Sequence, residues 1–445
     1  MERVRRWRAG WRYPTTLLCV YGFFSMVKPL EPFLVPYLTG PDKNLTTEQV
    51  NNEILPVWTY SYLCVLVPVF LLTDWLRYKP VVVLQGVTLW ITTAFLLWLR
   101  SVAAMQAMQF FYGVVTATEV AYFSYIYSVI DADKYRKATS YCRSVQLLGF
   151  TAGAVLGQLL VSFDLLSYRG LLLFTLAVTT VALLTSCFLP MPRRSMFFHR
   201  HGGDGPEGGQ GKAAETNMRE GGTDFLQCYS SRQLLYWSVW WAMATCGYNQ
   251  TLNYVQVLWQ HLEPSQDTNY NGGVEAVSNL FGAVTAYGIG FVQINWSRWG
   301  ELSLGAFSGL EAAALFLMTF TGDIWVCYAS YVVYKGLYML LITIAMFQIA
   351  ADLSMERYAL VFGANNFGAL VLQTIITAIV VDSRGLGLAI IPQFTIYASY
   401  FAVIALIFTL RGVFTIWRDR SRSQGPASAD SGPPDPGGPC LEHRL

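Results

Sequence analysis

Charged residues are scarce in this sequence. Of its 445 residues only 13% are Asp, Glu, Lys or Arg, whereas 54% are hydrophobic, and soluble domains carry about 25% charged residues. The net charge of +2 is small, and the basic residues lie in short connecting segments rather than along one face, which excludes a nucleic-acid-binding surface. The composition therefore predicts an integral membrane protein that contacts the lipid bilayer and no nucleic acid.

Motifs of soluble enzymes, cofactor sites and metal sites are also missing. The eight cysteines include no zinc-like CxxC pair and no disulfide framework. The four histidines all fall in predicted loops or in the C-terminal tail, and there is no Walker A loop, nucleophile elbow or HExxH. The sequence therefore predicts neither an enzyme nor a bound cofactor or metal ion, and it lacks the parts of an ATP-driven pump.

Long apolar segments fill most of the chain. About 20 mainly apolar residues suffice to cross a bilayer as a helix, and twelve segments qualify. They are 13–38, 55–76, 80–99, 103–130, 139–163, 168–190, 233–259, 271–293, 300–320, 323–350, 358–381 and 389–416. We therefore expect an all-α membrane protein with twelve transmembrane helices.

A glycine-rich polar stretch divides the apolar segments six and six. We expect a first six-helix half at 1–192, a flexible cytoplasmic linker at 193–232, a second half at 233–420 and a disordered cytoplasmic tail at 421–445. Two six-helix halves around a central linker are typical of the major facilitator superfamily, whose halves rock about a substrate site near the bilayer midplane.

Lysine and arginine residues predict the orientation in the membrane. Cytoplasmic loops carry an excess of these residues, and here they cluster in the head at 3–12, at Arg77 and Lys79, and at 134–137. Both termini are therefore expected in the cytoplasm. The opposite loop contains Asn44-Leu-Thr, which predicts N-glycosylation of Asn44.

Carboxylates inside predicted helices are the main candidates for function. Glu119 lies in the fourth segment and Glu275 in the eighth. A charge at such depth costs about 3 kcal/mol on insertion scales, so it normally faces a bundle interior or a wet cavity. Gln109 and Tyr112 share a helical face with Glu119, and an aromatic, acidic face suits an organic cation.

Other polar and aromatic residues have two readings each. Lys28 and Glu31 are three residues apart and can form a structural ion pair, or Glu31 can contact the substrate. Trp58 is either an interfacial anchor or an aromatic ligand. Asn253 belongs to a polar helical stripe that either joins helices or lines the site.

Two basic residues are candidates for gating or coupling. Lys335 can pair with Glu119, Glu275 or Glu311. Alternatively, Glu311 is a buried group whose hydrogen bonds are satisfied within the bundle. Arg143 lies near the inner end of the fifth segment, where it either takes part in a conformation-dependent ion pair or snorkels to lipid headgroups.

Eight stretches of the sequence resemble the family of reduced folate carriers and thiamine transporters. They are 22–26, 31–38, 40–46, 56–62, 118–122, 140–144, 189–192 and 357–363. The resemblance covers nearly every predicted span and implies a major-facilitator fold. It also implies that the thiamine branch binds its substrate with residues matching Trp58, Tyr112, Asn253, Glu275 and Tyr358.

The same resemblance bears on the substrate. The folate branch has a basic residue where this chain has Glu119 and a lysine where it has Gln373, so the residues here favour a cation such as thiamine over an anionic folate. One member of the thiamine branch has a glutamate where this chain has Gln109 and a tyrosine where it has Phe150. Both positions are assigned to the pocket, so these departures affect affinity or substrate choice.

The expected function is a plasma-membrane carrier that takes up thiamine by alternating access. Protons are a coupling ion compatible with this function, because a buried carboxylate can alternate between a bound cation and a proton. A carrier for pyridoxine or a related heteroaromatic vitamin is the alternative. A folate carrier and a substrate-sensing receptor that no longer transports are less favoured.

Overall fold

The protein is helical throughout the residues that the structure describes. This computed structural model describes residues 11–129, 135–192, 232–264, 270–289, 296–351 and 355–423. The predicted linker and most of the predicted tail lie outside these residues.

Thirteen α-helices form the described chain. They are α1 (Arg12–Met26), α2 (Leu34–Thr39), α3 (Leu55–Trp75), α4 (Lys79–Trp98), α5 (Val102–Val129), α6 (Tyr135–Ser162), α7 (Tyr168–Cys187), α8 (Arg232–Leu262), α9 (Asn271–Ile289), α10 (Trp296–Phe320), α11 (Ile324–Ala351), α12 (Met355–Ile376) and α13 (Ile390–Ser423). A π-helical turn, Gln49–Ile54, precedes α3, and another, Thr377–Val381, follows α12.

The first predicted span is broken rather than continuous. Helix α1 ends at Met26, and the chain resumes with a 3₁₀ turn, Glu31–Phe33, that leads into α2. Pro29 lacks an amide hydrogen and Pro32 takes up the start of the turn, so a regular helix cannot continue through this segment. The break exposes the side chains of Lys28 and Glu31 to the interior of the bundle.

Helix α6 lies directly against this broken segment. Gly149, Gly153 and Gly157 follow one another at intervals of four residues, and a Cβ at any of them would collide with the backbone between Phe23 and Pro29. Small residues at this spacing let two helical backbones approach closely in a membrane. The glycines of α6 thus allow the end of α1 and the broken segment to lie directly against α6.

Hydrogen bonds join the two halves at the end of the bundle that carries the Asn44 loop. The Tyr60 hydroxyl donates to Asp382 Oδ2 at 2.7 Å, and the Gly273 amide donates to Gln158 Oε1 at 3.0 Å. Asn52 donates to the carbonyl of Leu388 at 3.3 Å. These contacts connect α3 and its preceding turn with the segment after α12, and α6 with α9, so this end is closed.

Nine stretches of the described residues are long and apolar enough to cross a membrane. Helices α5, α8 and α9 are not among them, and these three carry Gln109, Glu119, Asn253 and Glu275. The all-helical membrane fold is therefore confirmed, whereas the count of twelve spans stays a prediction.

Candidate substrate site

The break in the first span places an ion pair beside α5. Lys28 Nζ lies 3.2 Å from Glu31 Oε2, so the predicted pairing of these residues is confirmed. Tyr112 joins them, because its hydroxyl accepts from Lys28 Nζ at 3.0 Å and donates to Glu31 Oε1 at 2.8 Å. The side chain of Glu31 remains 33% exposed, so this residue of the trio is partly accessible from the space between the helices.

Trp58 forms an aromatic wall on α3 next to this trio. Its indole N–H donates to Thr116 Oγ1 at 3.0 Å, and its ring lies 5.9 Å from that of Tyr62, with an interplanar angle of 32°. Thr116 is one turn beyond Tyr112 on α5. The indole is therefore turned towards a neighbouring helix, whereas a headgroup anchor would direct its N–H towards water.

Glu119 lies one turn further along α5 and is partly buried. Its carboxylate contacts Gln146 on α6 and lies within electrostatic range of Lys28 and Arg143. The ion pairs within 4 Å among the described residues do not include Glu119. Arg143 is exposed, as either a gating residue or a snorkelling residue would be.

The second half contributes a buried ion pair. Lys335 Nζ on α11 lies 2.6 Å from Glu275 Oε2 on α9, and the Tyr331 hydroxyl donates to Glu275 Oε1 at 2.7 Å. The structure thus selects Glu275 from the three partners proposed for Lys335. Because Lys335 and Tyr331 each occupy an oxygen of Glu275, a bound cation at this carboxylate competes with Lys335 for its charge.

Phe150 connects this pair with the first half. Its ring on α6 lies 5.9 Å from Lys335 Nζ, and the ring of Tyr331 lies 5.6 Å from the same atom. The ammonium group is therefore held between aromatic rings from both halves. Only the tertiary structure brings Phe150 and Lys335 together, since they are far apart in the sequence.

The polar stripe on α8 serves both readings proposed for it. Gln256 donates to the Glu31 carbonyl at 2.9 Å, and Asn249 donates to Gln373 Oε1 at 3.3 Å, so these two amides join helices. The Nδ2 atom of Asn253 is buried and has no hydrogen-bond partner among the described residues. Asn253 is thus the member of the stripe with a donor to offer to a ligand.

Gln109, Tyr358 and Asn44 lie in three different parts of the fold. Gln109 is buried, with 3% of its surface exposed, on the same helix as Tyr112. Helix α12 includes Tyr358, but its side chain lies outside the described residues. Asn44 is exposed in the loop between α2 and α3, where its amide is accessible to modification.

Sequence reasoning missed Tyr331 and Gln146, which hold the two buried carboxylates. Tyr331 lies four residues before Lys335 on α11, so a search for hydrogen-bonding residues one turn from an intramembrane charge would have found it. Gln146 gives no comparable signal, because its partner Glu119 lies on another helix.

The charges of the site nearly cancel. Three carboxylates, Glu31, Glu119 and Glu275, face two ammonium groups, Lys28 and Lys335, which leaves one negative charge. Glu119 is the acid that has no directly bonded cation among the described residues. Within this set the excess negative charge lies at Glu119, and the exposed Arg143 is within electrostatic range of it.

The fold matches those of solved membrane transporters. A crystal structure of a POT family transporter in complex with a thioalcohol-conjugated peptide matches with a TM-score of 0.64 at 12% identity over 90% of this chain and 96% of that chain. The nucleoside transporter NupG matches with a TM-score of 0.61 at 14% identity over 89% and 99% of the two chains. Identities this low show the fold alone.

Sequence comparisons identify a narrower group than the fold does. The family model described as "Reduced folate carrier" matches residues 9–224 and 210–396, and the chain belongs to this family. It is 51% identical to thiamine transporter 2 of Macaca fascicularis over 96% of this chain and 95% of the relative, and 52% identical to human thiamine transporter 1 over 96% and 94%. It is 41% identical to the human reduced folate transporter over 94% and 75%. The protein is therefore a multi-pass membrane transporter, not an enzyme.

Proposed function

We propose that this protein carries thiamine across the plasma membrane by alternating access. Its identity to the two thiamine transporters is about ten percentage points higher than to the folate transporter. The observation that carries the proposal is the site itself, where carboxylates outnumber ammonium groups and aromatic faces surround them. This arrangement complements a cationic heteroaromatic ring and opposes a dianionic folate. The pyridoxine alternative gains no support from these relatives.

The conformation described here is the inward-facing one in this proposal. Hydrogen bonds seal the end that carries Asn44, and the distribution of lysine and arginine puts that end outside the cell. Both termini then lie in the cytoplasm and Asn44 is available for glycosylation. Substrate released from this state enters the cell.

Thiamine binds, in this proposal, by replacing Lys335 on Glu275. The thiazolium cation takes the place of the ammonium group at Glu275, the rings of Phe150 and Tyr331 retain the displaced ammonium group, and Trp58 and Tyr112 supply ring faces from the first half. Asn253, Gln109 and Tyr358 offer hydrogen bonds to the aminopyrimidine. Phe150 and Lys335 belong to different halves, so the exchange at Glu275 changes a contact between the two halves.

This exchange has a consequence for coupling. When thiamine leaves, Lys335 can neutralise Glu275, so a proton is not needed there. Glu119 is the acid without such a partner, and it is the residue at which we propose proton exchange. Glu31 and Arg143 then act as gating residues next to it.

Counter-flow in proteoliposomes tests the proposed function. Vesicles that contain the full-length protein are loaded with unlabelled thiamine and diluted into labelled thiamine. We expect transient accumulation of label that unlabelled thiamine blocks and reduced folate does not. Binding without exchange would indicate a receptor, and exchange of folate in place of thiamine would refute the proposed substrate.

Loss of the Glu275 charge should abolish this exchange. Glu275→Gln keeps the size of the side chain and its contact with Tyr331 but cannot attract a cation. We expect little counter-flow with normal amounts of protein at the cell surface. Normal counter-flow in this variant would refute the role of Glu275.

A further inference from the structure

Two cysteine thiols meet at the interface of α1 and α6. Cys19 Sγ lies 3.6 Å from Cys142 Sγ, within the range of a hydrogen bond between thiols. Of the other described cysteines, Cys64 and Cys187 are exposed, and the pair is not part of the substrate site. Its position on two neighbouring helices makes it a candidate for a covalent link.

The two sulfur atoms differ in their access to small molecules. Cys142 is fully buried, whereas Cys19 is partly exposed and lines a groove of about 680 Å³ between α1 and α6. Trp11, Phe23 and Tyr141 also line this groove. An oxidant of the size of a peroxide can therefore reach Cys19, and the buried Cys142 is placed to react with the product.

The thiol pair is closely connected with Glu119. Cys142 lies one helical turn before Gln146, which contacts the Glu119 carboxylate. Tyr122, one turn beyond Glu119, donates to the Leu18 carbonyl beside Cys19 at 3.3 Å. A movement of α1 relative to α6 at the thiols therefore reaches the Glu119 contact through a single turn of helix.

We propose that Cys19 and Cys142 form a reversible oxidation site whose disulfide slows transport. The Cys19 thiol releases its proton as its sulfur attacks a peroxide oxygen, so that an S–O bond forms and the O–O bond breaks, and the departing hydroxide takes up this proton and leaves as water. The Cys142 sulfur then attacks the Cys19 sulfur, an S–S bond replaces the S–O bond, and a second water leaves. The peroxide is reduced, the two thiols are oxidised, and two equivalents of glutathione restore them by exchange.

The disulfide changes the geometry of the helix pair. A sulfur–sulfur bond is about 2.05 Å long, so the two atoms approach by about 1.5 Å from their present 3.6 Å. The glycine contacts between α6 and α1 leave little freedom to absorb this approach elsewhere. The start of α6 is drawn towards α1, and Gln146 moves away from the position in which it holds Glu119.

The location suits a transient rather than a permanent disulfide. The pair lies in the half of the bundle opposite the Asn44 loop, which is the cytoplasmic half in the predicted orientation. Cytosolic thiols are kept reduced, and disulfides that form there are usually regulatory. The effect on transport rests on the proposed function, whereas the formation of the bond does not.

The experiment has two independent measurements on the full-length protein in proteoliposomes. After treatment with hydrogen peroxide and alkylation of free thiols, mass spectrometry detects linked peptides, and counter-flow of labelled thiamine measures transport. We expect a Cys19–Cys142 linked peptide and loss of most of the counter-flow. After dithiothreitol the linked peptide should disappear and the counter-flow should recover. Absence of the linked peptide would overturn the proposal.

Matched variants separate the pair from other thiols. Cys19→Ser changes a partly exposed residue and should fold, transport normally and resist peroxide, whereas Cys64→Ser should be inhibited like the natural sequence. A second variant, Cys19→Ala, serves if serine at this position impairs folding. Equal inhibition of Cys19→Ser and the natural sequence, or a linked peptide without loss of transport, would overturn the regulatory role. If the reduced protein does not exchange thiamine at all, the proposed function fails while the linked peptide still decides the oxidation site.

Discussion

Replacing Lys335 by methionine should make this protein bind thiamine more tightly and transport it more slowly. In the structure Lys335 Nζ lies 2.6 Å from Glu275 Oε2, and only 3% of Lys335 is exposed. A substrate cation that uses Glu275 competes with this contact. Methionine keeps the apolar stem that fills the space and removes the competing charge.

The size of the effect follows from the energetics of buried ion pairs. Losing one partner of a buried pair costs about 3–5 kcal/mol. The ring faces of Phe150 and Tyr331 can retain the displaced ammonium group with about 2 kcal/mol. The remainder, about 1 kcal/mol or more, corresponds to a dissociation constant at least about fivefold lower in Lys335→Met. Release should slow correspondingly, because no internal cation replaces the departing substrate.

Arg411→Met provides the matched control. Arg411 Nε on α13 pairs with Glu301 Oε2 on α10 at 3.6 Å, and neither residue belongs to the candidate site. Thiamine binding is measured by isothermal titration on protein in nanodiscs, and turnover is measured by counter-flow. We expect unchanged affinity in the control.

One result would refute the competition between Lys335 and the substrate. If Lys335→Met binds thiamine more weakly while Arg411→Met binds normally, and both proteins are folded and monodisperse in nanodiscs, Lys335 supports binding instead of opposing it. Glu275 would then be a structural partner of Lys335, and the cation would bind near Glu119.

Three further predictions test other parts of the site and the closed end. Trp58→Ala should weaken thiamine binding by about 0.5–2 kcal/mol more than Trp58→Phe, since phenylalanine keeps an aromatic face for the cation; equal losses in titration would point to packing alone. Tyr60→Phe removes the hydrogen bond to Asp382, and a hydrogen bond to a charged group contributes about 1.5–3 kcal/mol. Hydrogen exchange of the backbone at 377–388 should therefore become at least about tenfold faster. Unchanged exchange would show that this bond does not hold the end closed. Gln109→Glu should strengthen thiamine binding and weaken competition by folate, because it adds a negative charge to a nearly neutral site. Gln106 lies one turn earlier on α5 and donates to the Glu53 carbonyl, so Gln106→Glu should change neither property. Equal effects of the two substitutions in competition assays would place Gln109 outside the pocket.

The sequence by itself determined the class of the protein and the side chains that have to be accommodated in the membrane. Low charge and long apolar segments leave a helical membrane bundle as the only solution that satisfies the backbone in lipid. Short spacing along the chain was equally decisive: Lys28 and Glu31 are three residues apart, and they pair in the structure although the helix is broken there. Prolines within the first span marked the region where the helix breaks.

The tertiary structure decided which helices share their charged residues. Glu275, Glu119 and Glu311 were equal candidates for Lys335, because residue spacing on one helix says nothing about which face of another helix lies opposite. Packing of α9 against α11 and of α6 across the boundary between the halves selected Glu275 and Phe150. Pairing across helices depends on how the bundle packs, and this packing alone decided that Lys335 contacts Glu275.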